Sequence, residues 1–191
     1  TGVTVVAGHA GVFAVAGGTT APPVGVSGPL PGTPAFNGDF ETGDFSQWRN
    51  AKGFSDGVIQ AQAADRVRIV RSPAAEGYFA ARFEVRPGDR AASGNRAEVL
   101  HGTNEHEGDE RWYQWHTNFD PSYPRNGNWQ IFTQWHAAQG HTQPMVRFNA
   151  NNDSISFSTT ESSSAGSPGK ERVHWSGPMN RGTWHTFRLH A

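Results

Sequence analysis

The sequence contains no cysteine among its 191 residues, and this absence removes several classes of function. Without thiols the chain can form neither a disulfide framework nor a thiolate zinc site, and it has no cysteine nucleophile. A continuous apolar run of about 18 residues, which a membrane-spanning helix requires, is also missing. The body of the chain is therefore predicted not to be a helical membrane protein, and we expect no membrane partner.

Charge is balanced, with 16 basic and 17 acidic side chains and a net charge of -1. This balance excludes a strongly basic chain that coats nucleic acid, so no nucleic-acid partner is expected. Nearly all of the positive charge is arginine, and the chain has seven tryptophans. Arginine binds carboxylates with two parallel hydrogen bonds, which together with tryptophan suits an acidic polysaccharide. The alternative is a codon preference for arginine and a core that uses tryptophan.

The two ends of the sequence differ from its body. Residues 1–28 are apolar and small, like the hydrophobic and cleavage regions of a secretory signal without its basic start, or like a disordered tail. Residues 29–36 form a Pro-rich linker. We therefore expect a secreted, extracellular protein whose folded domain spans residues 37–191. Because a strand-like pattern runs to the last residue, we also expect this domain to be incomplete at its C-terminus.

Apolar and polar residues alternate with period two through most of the body, which predicts short β-strands. The strand-like segments are 67–71, 78–85, 96–100, 111–119, 129–136, 145–148, 154–158 and 183–190. Turn-forming residues such as Pro87-Gly88 and Asn126-Gly127-Asn128 separate them. The sequence therefore predicts an all-β fold, either a two-sheet antiparallel β-sandwich or a jelly roll.

The segment 129–136 carries the clearest candidate chemistry. Alternation puts Gln130, Phe132, Gln134 and His136 on one face, and Trp129, Ile131, Thr133 and Trp135 on the other. The second set is apolar and is expected in the core, so the first is expected to face outward, where a curved sheet forms a groove. A histidine beside an amide can combine acid–base chemistry with stabilisation of an oxyanion. A hydrogen-bonded surface network is the alternative.

Arg96 and Glu98 are two residues apart and are expected on one face of their strand. An arginine held by a neighbouring glutamate is a rigid receptor for an anion. The same pair could also be a surface ion pair without a function.

The run 104–110 is the most charged part of the chain. Its acids could form a glycosidase carboxylate pair or a Ca²⁺ loop. They surround a glycine, however, so we expect a solvated loop. His101 and His106 are five residues apart, a spacing that gives weak support for a metal. No metal ligand is assigned, no cofactor is expected to be required, and the spacing does not support a structural Ca²⁺.

Four motifs in order, at 96–99, 107–113, 129–136 and 181–185, resemble the heparin lyase I-like polysaccharide lyases, which include glucuronan lyases. The resemblance implies a concanavalin-like jelly roll with a substrate groove on its concave face. Arg96-Ala-Glu98 and Gln134-Trp-His136 are also similar to patterns of alginate lyases of the same fold. Leu100 stands where that pattern has a second arginine, so the carboxylate-binding set differs.

This resemblance implies cleavage of a uronate-containing polysaccharide by β-elimination. Gln134 and Arg96 would neutralise the substrate carboxylate, and His136 would remove the C5 proton, since an imidazole ordinarily titrates near pH 6.5. A tyrosine beyond residue 191 would protonate the leaving oxygen, so the 191-residue chain alone could be inactive. Further side chains are expected to bind the substrate: Glu98, Gln130, Trp112, Tyr113 and Arg111.

Two other functions remain open from the sequence. The first is a non-catalytic carbohydrate-binding β-sandwich that uses Trp112, Trp115 and the groove face. The second is a glycoside hydrolase that uses Glu98 with an acid from residues 105–110. Unsaturated products would distinguish the lyase from both.

Overall fold

A computed structural model gives the fold. It describes the backbone of residues 3–14 and, with their side chains, residues 33–48, 59–92, 94–102, 105–106, 108–136, 143–161, 166 and 168–191. Within these ranges the chain is built from β-strands, with two 3₁₀ turns at Ser46–Trp48 and Ala64–Arg66 and no α-helix. All strand pairs are antiparallel. The all-β prediction is confirmed, and antiparallel sheets of this kind are those from which a jelly-roll β-sandwich is made.

The chain divides into two compact units. Unit 1 comprises Thr1–Pro121 and Gly182–Ala191, and unit 2 comprises Ser122–Arg181. The strands of unit 1 are β1 (Val3–Ala14), β2 (Phe36–Asn37), β3 (Ile59–Ala61), β4 (Val67–Val70), β5 (Ala80–Val85), β6 (Ala97–Val99), β7 (Arg111–Phe119) and β12 (Trp184–His190). The strands of unit 2 are β8 (Gln130–Trp135), β9 (Val146–Asn151), β10 (Ser154–Glu161) and β11 (Lys170–Pro178).

Unit 1 has a main sheet in the order β12-β7-β1-β5-β4, with β2 paired to β1, and a small sheet of β3 and β6. Alternate residues of β7 are apolar and buried, and Trp115 stacks on Phe187 of β12 with ring centroids 5.2 Å apart. Phe119 is fully buried at the end of the same strand. This apolar row is the core-facing side of β7.

Unit 2 is one sheet in the order β11-β10-β9-β8. Its apolar face contains Phe148, Ala150 and Ile155, which are buried. Phe157 lies opposite Phe148, and their rings stack with centroids 5.0 Å apart. These residues lie on alternate positions of β9 and β10, as the period-two pattern requires.

Strand β8 contains a β-bulge that overturns the predicted division of its two faces. Ile131 pairs with Asn149 but Thr133 pairs with the next residue, Phe148, so Phe132 is the extra residue of a β-bulge. The extra residue reverses the alternation, because side-chain period is two. Gln130 therefore lies on the face of Trp135, and Ile131 on that of Gln134, opposite to the sequence-based assignment.

The strands predicted from period-two patterning are present, with ends that differ by a few residues. Strands β1, β2, β3 and β11 were not predicted as strands. Strand β11 was missed because charged residues occupy most of its first half, and its side chains are almost all exposed. An edge strand of this kind lacks the apolar alternation on which the prediction relies.

The predicted division of the chain at residues 28 and 36 stays a prediction. Val3–Ala14 forms an antiparallel strand between β5 and β7. A secretory signal is removed during secretion, and the fold does not test whether residues 1–28 are removed. Most of the predicted linker lies outside the described residues.

Candidate functional site

Gln134 lies on a polar face of the unit 2 sheet. Residues directly opposite each other on paired strands project from the same face, with Cβ atoms about 4.5–5.5 Å apart. Gln134 pairs with Arg147 of β9, and Arg147 pairs with Ser158 of β10. Asn149, two residues further along β9, belongs to the same row. We call Gln134, Arg147, Asn149, Ser158 and Glu171 the polar face of unit 2.

Arg147 is the centre of this polar face. Its guanidinium Nη2 lies 2.7 Å from a carboxylate oxygen of Glu171, and its Nε donates to the Ser158 hydroxyl at 3.2 Å. Only 9% of the Arg147 side chain is exposed. The hydrogen bond from Arg147 lowers the pKa of the Glu171 carboxyl. The guanidinium is thus held rigidly, with its charge balanced by one carboxylate.

Two polar atoms near Arg147 have no hydrogen-bond partner within the part of the chain that the structure describes. They are the buried Asn149 Oδ1 and the buried Thr160 Oγ1. Asn149 donates through its Nδ2 to the Ser158 hydroxyl at 3.2 Å. Both atoms therefore keep the capacity to form a hydrogen bond beside Arg147.

His136 follows the last residue of β8 and is exposed. It comes two residues after Gln134, so both predicted catalytic side chains lie at the same end of this strand. The backbone N–H of Met145 donates to the carbonyl oxygen of Trp135 at 3.0 Å, which continues the β8–β9 pairing next to His136. An exposed imidazole on a hydrogen-bonded strand end can exchange protons with a bound molecule.

The structure corrects the expectation that Trp129 belongs to the core. Its exposed fraction is 61%, among the highest of the large apolar residues. The guanidinium carbon of Arg147 lies over the indole ring, 5.9 Å from its centroid, which is within cation–π range. The prediction was wrong because Trp129 lies before the bulge at Phe132, and the bulge puts Ile131, two residues after Trp129, on the face of Gln134 and Arg147.

Gln130 is positioned by a buried tyrosine. The Tyr123 hydroxyl donates to Gln130 Oε1, and Tyr123 is 3% exposed. Burial raises the pKa of the Tyr123 hydroxyl, which keeps it protonated as a donor. Since β8 is bulged, Gln130 does not share the face of Gln134, and its predicted role in substrate binding stays a prediction.

Arg96 and Glu98 meet as their spacing predicts, in unit 1. Arg96 Nη1 lies 2.8 Å from Glu98 Oε1 and 3.2 Å from Gln60 Oε1. Gln60 and Glu98 are direct partners in the two-stranded sheet of β3 and β6. Both members of the ion pair are partly exposed, at 32% for Arg96 and 23% for Glu98. An oriented, partly exposed guanidinium of this kind can receive an anion.

The predicted binding residues of β7 occupy different environments. Trp112 stacks on His190 of β12 with ring centroids 4.2 Å apart. Tyr113 is buried and donates to Glu105 at 2.8 Å, whereas Arg111 bonds to Asp109 at 3.1 Å. Trp115 is also buried and belongs to the core, so it cannot serve as the lectin surface of the carbohydrate-binding alternative.

Sequence reasoning did not single out a second polar row, on the opposite face of β7. Gln114, His116 and Asn118 alternate with the apolar row and are all buried. Gln114 accepts from Arg188 Nε at 2.9 Å, and His116 Nδ1 lies 2.9 Å from the Thr186 hydroxyl. The period-two spacing of these three residues was readable in the sequence, and it is the signal that could have found them.

The described residues of the acidic run form single contacts rather than a cluster. Glu105 accepts from Tyr113, and Glu110 lies 2.6 Å from His190 Nε2. Asp109 and Glu110 are exposed, as a solvated loop requires. Across the described ranges no group of three or more His, Asp or Glu side chains is placed to hold a metal ion. That the activity requires no cofactor stays a prediction.

The model of the polysaccharide lyase family matches residues 40–191, which is most of the chain. The chain belongs to the polysaccharide lyase family. The match covers Arg96, Gln134 and His136, and all of the unit 2 sheet. No curated protein and no solved structure matches the chain.

Membership of this family makes the chain a lyase domain whose substrate is a polysaccharide. The predicted catalytic residues fall in both units: Arg96 with Glu98 in unit 1, and Gln134 with His136 in unit 2. The described residues include no helix that is long and apolar enough to span a membrane.

Proposed function

We propose that this polysaccharide lyase cleaves a uronate-containing polymer by β-elimination, with His136 as the base. The observation that carries the proposal is the end of β8, where an exposed histidine follows Gln134, itself paired with Arg147 on a polar face. The resemblance to heparin lyase I-like enzymes, which include glucuronan lyases, supports this assignment. It also supports an acidic substrate and secretion.

The reaction needs side chains that remove a proton, neutralise the substrate carboxylate and protonate the leaving oxygen. A base removes the proton at C5 of the uronate, and the electron pair forms the C4–C5 double bond while the C4–oxygen bond breaks. The proton at C5 becomes acidic only if the neighbouring carboxylate is neutralised, because negative charge builds up on it in the transition state. We assign this neutralisation to the Gln134 amide, and the contribution expected from the Arg96 guanidinium stays a prediction.

His136 can take the C5 proton because it is exposed and lies two residues from the amide that would orient the carboxylate. Arg96 is held by Glu98 and Gln60, so it loses little freedom when it binds an anion. The leaving oxygen takes a proton from a general acid, to which we assign no residue of this chain.

The direct test replaces His136 by alanine in the complete protein that contains this domain. General-base catalysis contributes about 10² to 10⁴ in rate, so H136A is expected to lose at least about 100-fold in the formation of unsaturated ends. Binding of oligosaccharide, measured by calorimetry, is expected to remain within about threefold, since the imidazole acts mainly in the transition state.

H106A is the matched control, because His106 is an exposed histidine in a loop of unit 1. It is expected to retain wild-type activity. If H136A turns over at a rate near that of H106A, the assignment of the base is wrong.

A further inference from the structure

Trp129 is an exposed aromatic residue of unit 2 that has no role in the proposed elimination. Its indole is held against Arg147 at 5.9 Å, and yet 61% of the residue is exposed. A tryptophan that is both fixed and exposed loses little conformational entropy when a ligand covers its ring. Such a ring offers a flat apolar surface to the apolar face of a pyranose.

The position of Trp129 relates it to the proposed catalytic end of unit 2. Arg147, on which the indole lies, is the direct partner of Gln134 across the β8–β9 ladder. Trp129 precedes Gln134 by five residues, which is on the order of 15 Å along an extended strand. A polymer that runs along β8 would therefore contact the two side chains through different sugars.

The charge around Arg147 indicates what this surface recognises. The guanidinium is paired with Glu171 at 2.7 Å and bonded to Ser158, so its charge is balanced and its donors are largely occupied. Binding at this place would depend on contact with the ring rather than on attraction of a carboxylate. Arg147 would act as a positioning residue that fixes the indole.

We propose that Trp129 is a sugar-stacking subsite of unit 2, held in place by Arg147, which binds a pyranose ring of the substrate polymer on the same face of the sheet as Gln134. The inference rests on the proposed function for the identity of the polymer. It adds a binding residue and a positioning residue that the sequence did not assign.

Trp175 provides a matched control. It is also an exposed tryptophan of unit 2, at 49%, but it pairs with Phe157 and therefore lies on the face of Phe148, opposite to Arg147. The experiment measures calorimetric binding of glucuronan and alginate oligomers to the wild-type protein, W129A and W175A. Loss of one stacking contact is worth about 1.4 kcal/mol, so W129A is expected to bind about tenfold more weakly. W175A is expected to bind like the wild type.

Arg147 is tested by its coupling to Trp129. R147K keeps the charge but cannot keep the contacts with Glu171, Ser158 and the indole together, so it is expected to weaken binding severalfold. In W129A the further change R147K is expected to weaken binding by less than twofold, because the ring it positions is gone. A merely structural arginine would weaken binding equally in both backgrounds, which would overturn its role as a positioning residue.

The failure of this subsite and the failure of the proposed function give different results. Equal binding by W129A and W175A, or no binding of either oligomer by the wild type, would overturn the subsite. If W129A binds about tenfold more weakly but the wild type forms no unsaturated product from any uronate polymer, the subsite stands and the proposed elimination falls.

Discussion

His101 is a single residue whose surroundings give a testable dependence on pH. Its imidazole stacks on Phe36 with ring centroids 3.7 Å apart and meets the edge of Trp48. Burial lowers the pKa of His101 below the ordinary value of 6.5, because the charged imidazolium is disfavoured among apolar rings. The folded state therefore prefers the neutral form more than the unfolded state does.

The sign of the effect follows from this preference. Well above pH 6.5 His101 is neutral in both the folded and the unfolded state, so it does not change the free energy of unfolding. As the pH falls below 6.5 the unfolded state binds a proton first, and the free energy of unfolding decreases until the folded pKa is passed. H101F keeps the stacked ring but cannot titrate. Between pH 7.5 and pH 5, urea denaturation should show a smaller loss of stability for H101F than for the wild type, and equal losses would contradict the account.

Single residues also show where sequence reasoning succeeds and fails. Arg96 and Glu98 were predictable as a pair, since residues two apart along an extended segment share a face. Arg147 was not predictable, because Ser158 and Glu171 reach it only through the pairing of three strands. Trp129 was misassigned because it lies before the bulge of β8, which reverses the faces of the residues that precede it.

At the scale of elements, the bulge at Phe132 decides which side chains of β8 act together. Period-two patterning located the strand but could not show the bulge, since one extra residue leaves no signal in composition. The Gln134–Trp135–His136 end was still predicted with the correct relative faces for Gln134 and Trp135. The error fell on Gln130 and Ile131, which lie before the bulge.

The β10–β11 connection depends on Gly169. Its φ of +68° favours glycine, and an added Cβ would lie 2.6 Å from Thr160 Cγ2 and 2.8 Å from the Glu161 carbonyl oxygen. G169A is expected to destabilise the protein by about 2 kcal/mol or more, from backbone strain together with the clash. The measurement is the urea midpoint of unfolding.

Gly127 is the control for that prediction. It also has a positive φ, +76°, but an added Cβ would meet no atom within 4 Å. G127A is therefore expected to cost only the strain, about 1 kcal/mol. If both variants lower stability equally, the close approach at Gly169 does not contribute and the packing proposed for this turn is wrong.

At the scale of the whole molecule, unit 2 is a continuous segment of the sequence that follows β7 and precedes β12, two paired strands of unit 1. The Gly182 amide donates to the Phe119 carbonyl at 2.7 Å, just where the chain leaves unit 2. Within unit 2, Arg181 donates to the carbonyl oxygens of Tyr123 and Asn152, which joins its last residue to its first residues and to the turn between β9 and β10. The fold class was predictable from strand patterning, whereas this pairing of distant strands was not, because it depends on contacts far apart in sequence.

The family assignment also belongs to the scale of the whole molecule, since the family model matches residues 40–191 as one stretch rather than any single residue. The resemblance drawn from ordered motifs in the sequence and this match agree on a polysaccharide lyase.

The measurement that tests this account most directly is ultraviolet absorbance of glucuronan, alginate, heparin and hyaluronan solutions after addition of the complete protein. We predict that absorbance rises with at least one polymer, because β-elimination leaves a C4–C5 double bond conjugated with the carboxylate. We also predict no rise with H136A. Reducing ends that form without a rise in absorbance would indicate hydrolysis and contradict elimination, and oligosaccharide binding without any product would indicate a carbohydrate-binding module.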